Sequence, residues 1–210
     1  MIKKYDEILE YFARTMPDAQ TELHYSNEYE LLVAVMLSAQ CTDKRVNMVT
    51  PALFSSYPTI EALASATPTD VLRHVRSVSY PNAKSAHLVM MAQKVASDYG
   101  GKIPHTREEL MRLPGVGRKT ANVMLIVAFG EPAMPVDTHV FRVAARLGLT
   151  SGCKTPDKTE AELVRHIPRE KLGVAHHWFI LFGRYTCKAV KPSCGTCGLT
   201  RLCEYHKGQE

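Results

Sequence analysis

Helix start signals recur along the whole chain, and they constrain its fold more than any other feature of the sequence. At each of them a residue that caps helix N-termini, or a proline suited to the first helical position, precedes apolar residues at helical spacing. The signals are Asn27 with Glu30, Thr67 with Pro68 and Asp70, Thr106 with Glu109, Thr155 with Pro156, and Pro168. No segment alternates apolar and polar residues as a half-buried strand does. The sequence therefore predicts an all-α fold of about ten helices joined by short links.

The chain is long enough and apolar enough to bury a core. Its 210 residues, 45% of them hydrophobic, fit one large domain or two small domains packed together. The N-terminal segment carries Tyr5, Ile8, Leu9 and Phe12 at helical spacing, which predicts an amphipathic helix. No run of about 18 consecutive apolar residues occurs, so we expect neither a membrane span nor a signal peptide. The net charge of +5 favours a polyanionic partner without identifying one.

Two glycines flank one apolar residue where a short helix from Thr106 must end and a strongly apolar helix, about 118–129, begins. These residues are Gly115, Val116 and Gly117. Glycine permits positive φ and a close approach of another backbone. The N–H groups at the start of the second helix suit a phosphate group of DNA. An ordinary turn between two helices is the simpler alternative.

A lysine and an aspartate follow this turn. Lys119 lies in the first turn of the apolar helix, where the helix dipole and a low local dielectric disfavour a charged ammonium. A neutral lysine amine can act as a nucleophile, although most lysines are solvated surface residues. Asp137 precedes a segment with apolar residues at helical spacing, which is typical of an N-cap. A carboxylate at such a position can also assist amine attack or stabilise positive charge at a sugar.

Four of the six cysteines lie near the C-terminus. Cys187, Cys194, Cys197 and Cys203 have the spacing C-x6-C-x2-C-x5-C. Without a secretory signal, such a group indicates metal ligands rather than disulfides. Thiolates bind both zinc and iron–sulfur clusters, and the spacing alone leaves both open.

Two segments together resemble the endonuclease III family of the helix-hairpin-helix DNA glycosylases. They are LPGVGRKTAN at 113–122 and VDTHVFRV at 136–143. The resemblance implies that the glycine turn grips the DNA backbone through Gly115, Val116 and Gly117. It also implies that Lys119 attacks the sugar carbon that carries the damaged base, and that Asp137 assists this step.

The cysteine spacing matches the same family, and this match implies a [4Fe–4S] cluster. Lys188 and Lys191 lie between the first two cysteines. They can contact phosphate groups from a loop that the cluster holds rigid, or they are simply solvated. We expect the cluster to be structural.

The family also fills the gap left by a flipped nucleotide with residues from two loops. Gln40, in the segment Ser38–Asp43, matches the first of these positions, and Tyr80 maps to the second. Ser79 and Pro81 depart from the family pattern, which has glycine at position 79 and two bulky residues after it. This departure puts the conformation of the second loop, and the lesion preference, in doubt.

The resemblance implies two helical subdomains: a central one at 21–130, with the helix-hairpin-helix at about 106–129, and a second, iron–sulfur subdomain that joins 1–20 to 131–210. We expect a bifunctional enzyme that removes oxidised pyrimidines as an N-glycosylase and cuts the strand by β-elimination through a lysine Schiff base. The expected partner is double-stranded DNA with damaged bases or abasic sites. We further expect a cytoplasmic, nucleoid-associated monomer.

Two other functions compete with this interpretation. An adenine glycosylase for A/G mismatches shares the fold and the cysteine spacing, but it normally lacks the hairpin lysine and carries a further C-terminal domain. A non-catalytic DNA-binding module needs the basic loop and the hairpin, but neither Lys119 nor Asp137. The two segments in combination favour the bifunctional enzyme.

Overall fold

The computed structural model describes residues 2–208, and this part of the chain is helical without any β-strand. The α-helices are α1 (Ile2–Thr15), α2 (Glu28–Ser38), α3 (Asp43–Ser56), α4 (Ile60–Ala64), α5 (Pro68–Val75), α6 (Pro81–Tyr99), α7 (Arg107–Leu110), α8 (Arg118–Ala128), α9 (Thr138–Leu147), α10 (Pro156–His166), α11 (Leu172–Tyr185) and α12 (Glu204–Lys207). Three short 3-10 turns accompany them at Arg169–Lys171, Cys194–Thr196 and Thr200–Leu202. The prediction of an all-α fold is confirmed.

Most of the expected helix starts lie where the capping residues predict them. The side chains of Asn27, Thr67, Thr106 and Thr155 each accept a hydrogen bond from a backbone N–H in the first turn of the helix that follows. The prediction that Pro168 begins the last long helix was wrong. Its extended backbone leads instead into the 3-10 turn Arg169–Lys171, and α11 begins only at Leu172.

The described chain divides into two compact units. One runs from Glu22 to Gly130, and the other joins the chain up to Thr21 with the chain from Glu131 onward. We call them the central unit and the discontinuous unit. Among the described residues, no helix is both long and apolar enough to span a membrane.

Helix α2 is the core of the central unit. Every residue from 31 to 37 is buried, so the apolar stripe expected from helical spacing underestimates the burial of α2. Helices α3, α6 and α8 all pack against it. A helix that is apolar on all sides must be surrounded, and this arrangement fixes α8 and the end of α2 within the same core.

Aromatic packing holds the two sequence segments of the discontinuous unit together. Phe12 of α1 is fully buried, and its ring contacts Trp178, Phe179 and Phe182 of α11. The Trp178 indole N–H donates to the carbonyl of Met16 at 2.8 Å. The amphipathic N-terminal helix therefore completes a core that is otherwise built from residues after 130.

Candidate functional site

The turn between α7 and α8 requires glycine at its first glycine position. Gly115 has a φ of +79°, and an added Cβ would lie 2.8 Å from His87 Cβ and 3.0 Å from Met36 Cε. Val116 is buried, and its N–H donates to the Leu113 carbonyl at 3.1 Å. Val116 therefore stabilises the turn from inside, and its N–H is occupied within the protein.

Gly117 has a different role from Gly115. Its φ of −94° is accessible to any residue, and no heavy atom lies within 4 Å of the position that a Cβ would occupy. It is the N-cap of α8 and provides no side-chain hydrogen bond to the first turn. The start of α8 is thus open to an anion, with helix N–H groups that have no acceptor within the helix.

Lys119 and Asp137 both lie at the start of a helix. Lys119 is half-buried in the first turn of α8. Asp137 is the N-cap of α9, and its Oδ1 accepts hydrogen bonds from the N–H groups of His139 and Val140, both at 2.8 Å. The N-cap prediction for Asp137 is confirmed, and since both hydrogen bonds use Oδ1, Oδ2 takes no part in this cap.

The imidazole of His139 lies beside this cap. Burial lowers the pKa of His139, while the neighbouring Asp137 raises it and Arg142 lowers it further. The net shift is downward, so His139 is neutral at neutral pH. Its Nδ1 lies 3.2 Å from the Arg142 guanidinium, which also donates to the carbonyls of Gly183 and Cys187.

The two loops expected to open DNA are neighbours in the central unit. Gln40 and Tyr80 are both exposed and both adopt left-handed backbone conformations, with φ of +53° and +54°. The hydroxyl of Ser79 donates to the backbone carbonyl of Gln40 at 2.6 Å. Pro81, the other departure from the family pattern, is the first residue of α6, where a proline is well tolerated.

A buried lysine supports the first of these loops. Lys84 of α6 is 9% exposed, and its ammonium donates to the carbonyls of Leu37 and Ala39 at 2.8 and 2.7 Å. Burial lowers its pKa, and Cys41 partly opposes this shift. Sequence reasoning missed Lys84, because its acceptors are backbone atoms more than forty residues away.

The four C-terminal cysteines lie together in the discontinuous unit. All four are free and half-buried. Burial raises the pKa of the Cys197 thiol, and the three other thiols contribute to this rise, while the Leu199 N–H bond to the Cys197 sulfur at 3.4 Å opposes it. Within residues 2–208, no three His, Cys, Asp or Glu side chains are arranged to hold a single metal ion.

Two arginines of α9, which sequence reasoning also missed, hold the cysteine loop. Arg146 donates to the carbonyls of Lys188 at 2.7 Å and Ala189 at 3.0 Å, and Arg142 donates to Cys187. The i, i+4 spacing of the two arginines on one helix was the available signal. Lys188 and Lys191 are exposed, and Lys191 has a φ of +51°.

Comparison with known proteins identifies the class of protein that has this fold and hairpin. A sequence model of the HhH-GPD superfamily of base excision DNA repair proteins matches residues 33–169. Endonuclease III of Rickettsia felis is 45% identical over 201 residues, which cover 96% of this chain and 94% of that protein. Endonuclease III of Bacillus subtilis is 43% identical over 202 residues, covering 96% of this chain and 92% of that protein.

A solved structure agrees with these sequence matches. A trapped covalent intermediate of endonuclease III with DNA matches with a TM-score of 0.96 and 42% identity, covering 100% of this chain and 98% of that chain. The class is thus the helix-hairpin-helix base-excision repair proteins. Within that class, the chain belongs to the endonuclease III family, and it is a DNA glycosylase with AP lyase activity.

Proposed function

We propose that Lys119 is the nucleophile of this enzyme and that Asp137 assists it, with an oxidised pyrimidine in double-stranded DNA as the substrate. The observation that carries the proposal is the position of the half-buried residue Lys119 in the first turn of α8, directly after the open start of that helix. Asp137 contributes a carboxylate whose Oδ2 is not used by the cap of α9. A carboxylate can stabilise the positive charge that develops at the sugar.

The proposed reaction begins with attack by a primary amine. The lone pair of Lys119 Nζ forms a bond to C1′ while the glycosidic bond breaks, and the departing base takes its electron pair and a proton. The C1′–O4′ bond then breaks, and O4′ keeps its electron pair and takes the second Nζ proton. This opens the sugar ring and gives a Schiff base between Nζ and C1′. Removal of a C2′ proton then expels the 3′ phosphate, so the strand breaks by β-elimination. Hydrolysis of the Schiff base frees Lys119.

Backbone atoms of the hairpin fit a sequence-independent grip on phosphate. Gly117 leaves open space at the start of α8, and Gly115 allows the tight turn that presents it. Val116 supports the same turn from the core. Phosphate contacts of this kind position DNA without reading its sequence, which suits an enzyme that must inspect any context. Lys188 and Lys191 add exposed positive charge for the same purpose.

Gln40 and Tyr80 are proposed to enter the base stack when the damaged nucleotide leaves it. A base within a duplex is out of reach of a nucleophile, so the nucleotide must be flipped out. Tyr80 is 65% exposed at the start of α6, so its ring is accessible to DNA. Its ring can stack on the bases that remain.

The four C-terminal cysteines fit a [4Fe–4S] cluster. Four neighbouring free thiols supply the complete ligand set. Zinc draws its four ligands to about 2.3 Å from one centre, whereas a cluster binds each thiolate to a different iron atom. When bound, the cluster cross-links the segment from Cys187 to Cys203.

Borohydride trapping tests the proposed nucleophile. Duplex DNA with an abasic site or an oxidised thymine is incubated with the wild type, Lys119→Gln and Asp137→Asn. We expect a covalent adduct with the wild type, none with Lys119→Gln, and less with Asp137→Asn. If the wild type binds and cuts the DNA but the adduct persists in Lys119→Gln, another amine is the nucleophile. If the wild type binds without any adduct or product, the rival functions replace this one.

Metal analysis tests the cofactor separately. We expect brown protein with about four iron and four sulfide per chain, as a [4Fe–4S] centre requires. Colourless protein with one zinc per chain would overturn this assignment and leave the proposed nucleophile unaffected.

A further inference from the structure

A glutamine occupies the backbone position that normally suits glycine at the end of α2. The helix ends at Ser38, Ala39 is its C-cap, and Gln40 follows with a φ of +53°. The residue after a C-cap is commonly glycine because the left-handed region is unfavourable for residues with a Cβ. The chain thus holds a long polar side chain at a strained position on the surface.

Tyr80 repeats this pattern on the neighbouring loop. It is the N-cap of α6 with a φ of +54° and a ψ of +49°, and it makes no side-chain capping hydrogen bond. Such conformations persist only where the surroundings determine them. Of the described residues other than glycine, just three have a positive φ, and two of them are Gln40 and Tyr80.

Two contacts determine the conformation of both loops. Ser79 precedes Tyr80 in the chain, and its hydroxyl donates to the Gln40 carbonyl at 2.6 Å. The Lys84 ammonium, one turn into α6, donates to the carbonyls of Leu37 and Ala39, at the end of α2. A cation such as the Lys84 ammonium is favourable at the C-terminal end of a helix. Because this ammonium is buried, it needs both carbonyl acceptors. α6 therefore carries Tyr80 at its start and fixes the backbone of Gln40 at the same time.

We infer that Ser79 is a positioning residue that couples the Gln40 loop to the Tyr80 loop, so that the two side chains enter the base stack as one preorganised unit. This inference rests on the proposed role of Gln40 and Tyr80 in DNA opening. Lys84 fixes the end of α2 that leads into the Gln40 loop. Ser79 links the Gln40 loop to the backbone next to Tyr80. A glycine at position 79 has no side chain and cannot make this link.

Rapid mixing with 2-aminopurine in DNA tests the coupling. The fluorescent base is placed opposite an abasic site in a duplex, and its fluorescence rises when it loses its stacking partners. We expect Ser79→Ala to lower the rate of this rise by about two- to tenfold, as expected for the loss of one hydrogen bond. Ser79→Thr keeps a hydroxyl on Cβ and should restore the rate. Ser97→Ala is the matched control, since the Ser97 hydroxyl donates to Lys94 and Asp98 of its own helix.

A second measurement separates positioning from a general loss of activity. Borohydride adduct formation is compared on duplex and single-stranded abasic DNA, because a single strand has no partner base to displace. We expect the ratio of the duplex rate to the single-strand rate to fall in Ser79→Ala. Thermal unfolding of each variant verifies that substitution of the half-buried Ser79 leaves the fold intact.

The outcomes distinguish the inference from the function beneath it. If Ser79→Ala opens the duplex as fast as the wild type, or if Ser79→Thr is as slow as Ser79→Ala, the hydroxyl does not couple the loops. If Gln40→Ala and Tyr80→Ala both open the duplex at the wild-type rate, these residues do not open DNA, and the inference fails with that role. Slow opening in all three alanine variants with rescue by threonine supports both.

Discussion

Asp137 combines a structural role with a proposed chemical one, and three substitutions separate them. Its Oδ1 accepts two N–H bonds at the start of α9, whose residues Val140, Val143, Ala144 and Leu147 are buried in the core of the discontinuous unit. Loss of such a cap costs about 1 kcal/mol, and loss of a negative charge at a helix start costs about 0.3–1 kcal/mol more. We therefore expect Asp137→Ala to lower the free energy of unfolding by roughly 1–2 kcal/mol.

Asparagine keeps an oxygen acceptor at the same place and removes only the charge. Asp137→Asn should cost less than about 1 kcal/mol of stability, because only the charge term is lost. Thr155→Ala is the matched control, since it removes the cap of α10 in the same unit, where Thr155 accepts from the Lys158 N–H at 3.3 Å. We expect it to lower stability without affecting the chemistry.

Urea unfolding and single-turnover strand cleavage together measure the two roles. If the carboxylate assists the reaction, Asp137→Asn lowers the cleavage rate by about a hundredfold or more, as is usual for a lost acid–base or electrostatic group. Thr155→Ala should cleave at the wild-type rate. The reasoning is refuted if Asp137→Asn cleaves normally, or if the rate loss in all three variants simply follows their loss of stability.

Three further predictions concern the hairpin, a half-buried histidine and the cysteines. Gly115→Ala should lower the urea midpoint strongly, because the φ of Gly115 is +79° and the added Cβ would lie 2.8 Å from His87. Gly117→Ala should keep the midpoint, since its Cβ enters open space, and it should weaken DNA binding in a titration. Burial lowers the pKa of His177 to about 4. In the unfolded chain this imidazole is protonated below about pH 6.5, whereas in the folded protein it stays neutral down to about pH 4. The free energy of unfolding should then fall by up to roughly 2 kcal/mol from pH 7 to pH 5. His177→Gln should reduce this fall, as measured by urea unfolding at each pH. An unchanged pH dependence in the variant would contradict the prediction. Removal of the proposed cluster should make protease cut between Cys187 and Cys203, because the regular structure of this segment is limited to two 3-10 turns. Cleavage elsewhere first would contradict a cross-linking role.

Local signals predicted the helices well, because they act within a few residues. The capping bonds of Asn27, Thr67, Thr106 and Thr155 each span three residues, so the sequence alone displays both partners. The start of α11 was predicted less well. Pro168 is compatible with a first helical residue, but its neighbours form a 3-10 turn, and propensity does not distinguish the two.

The candidate site was predictable only in its residue types. The roles of Gly115 and Gly117 look equivalent in the sequence, yet one requires a positive φ against His87 and the other faces open space. That difference depends on α6, which lies nearly thirty residues earlier in the chain. Similarly, the spacing of the cysteines left zinc and iron–sulfur open, because spacing does not state how far apart the folded thiols lie.

The departure at Ser79 illustrates why a deviation from a family pattern is informative. In the sequence, a serine where the family pattern has glycine, beside the proposed wedge residue Tyr80, leaves the conformation of the loop open. In the fold, Ser79 itself does not have a positive φ; its neighbour Tyr80 does, and the serine hydroxyl bonds to the Gln40 carbonyl 39 positions away. A hydrogen bond across that separation leaves no periodic or local signal, so only the fold reveals that the substitution adds a contact. Ser79 breaks the family pattern and gains a hydrogen bond to the Gln40 loop. A positioning role therefore explains the serine better than mere tolerance of the change does.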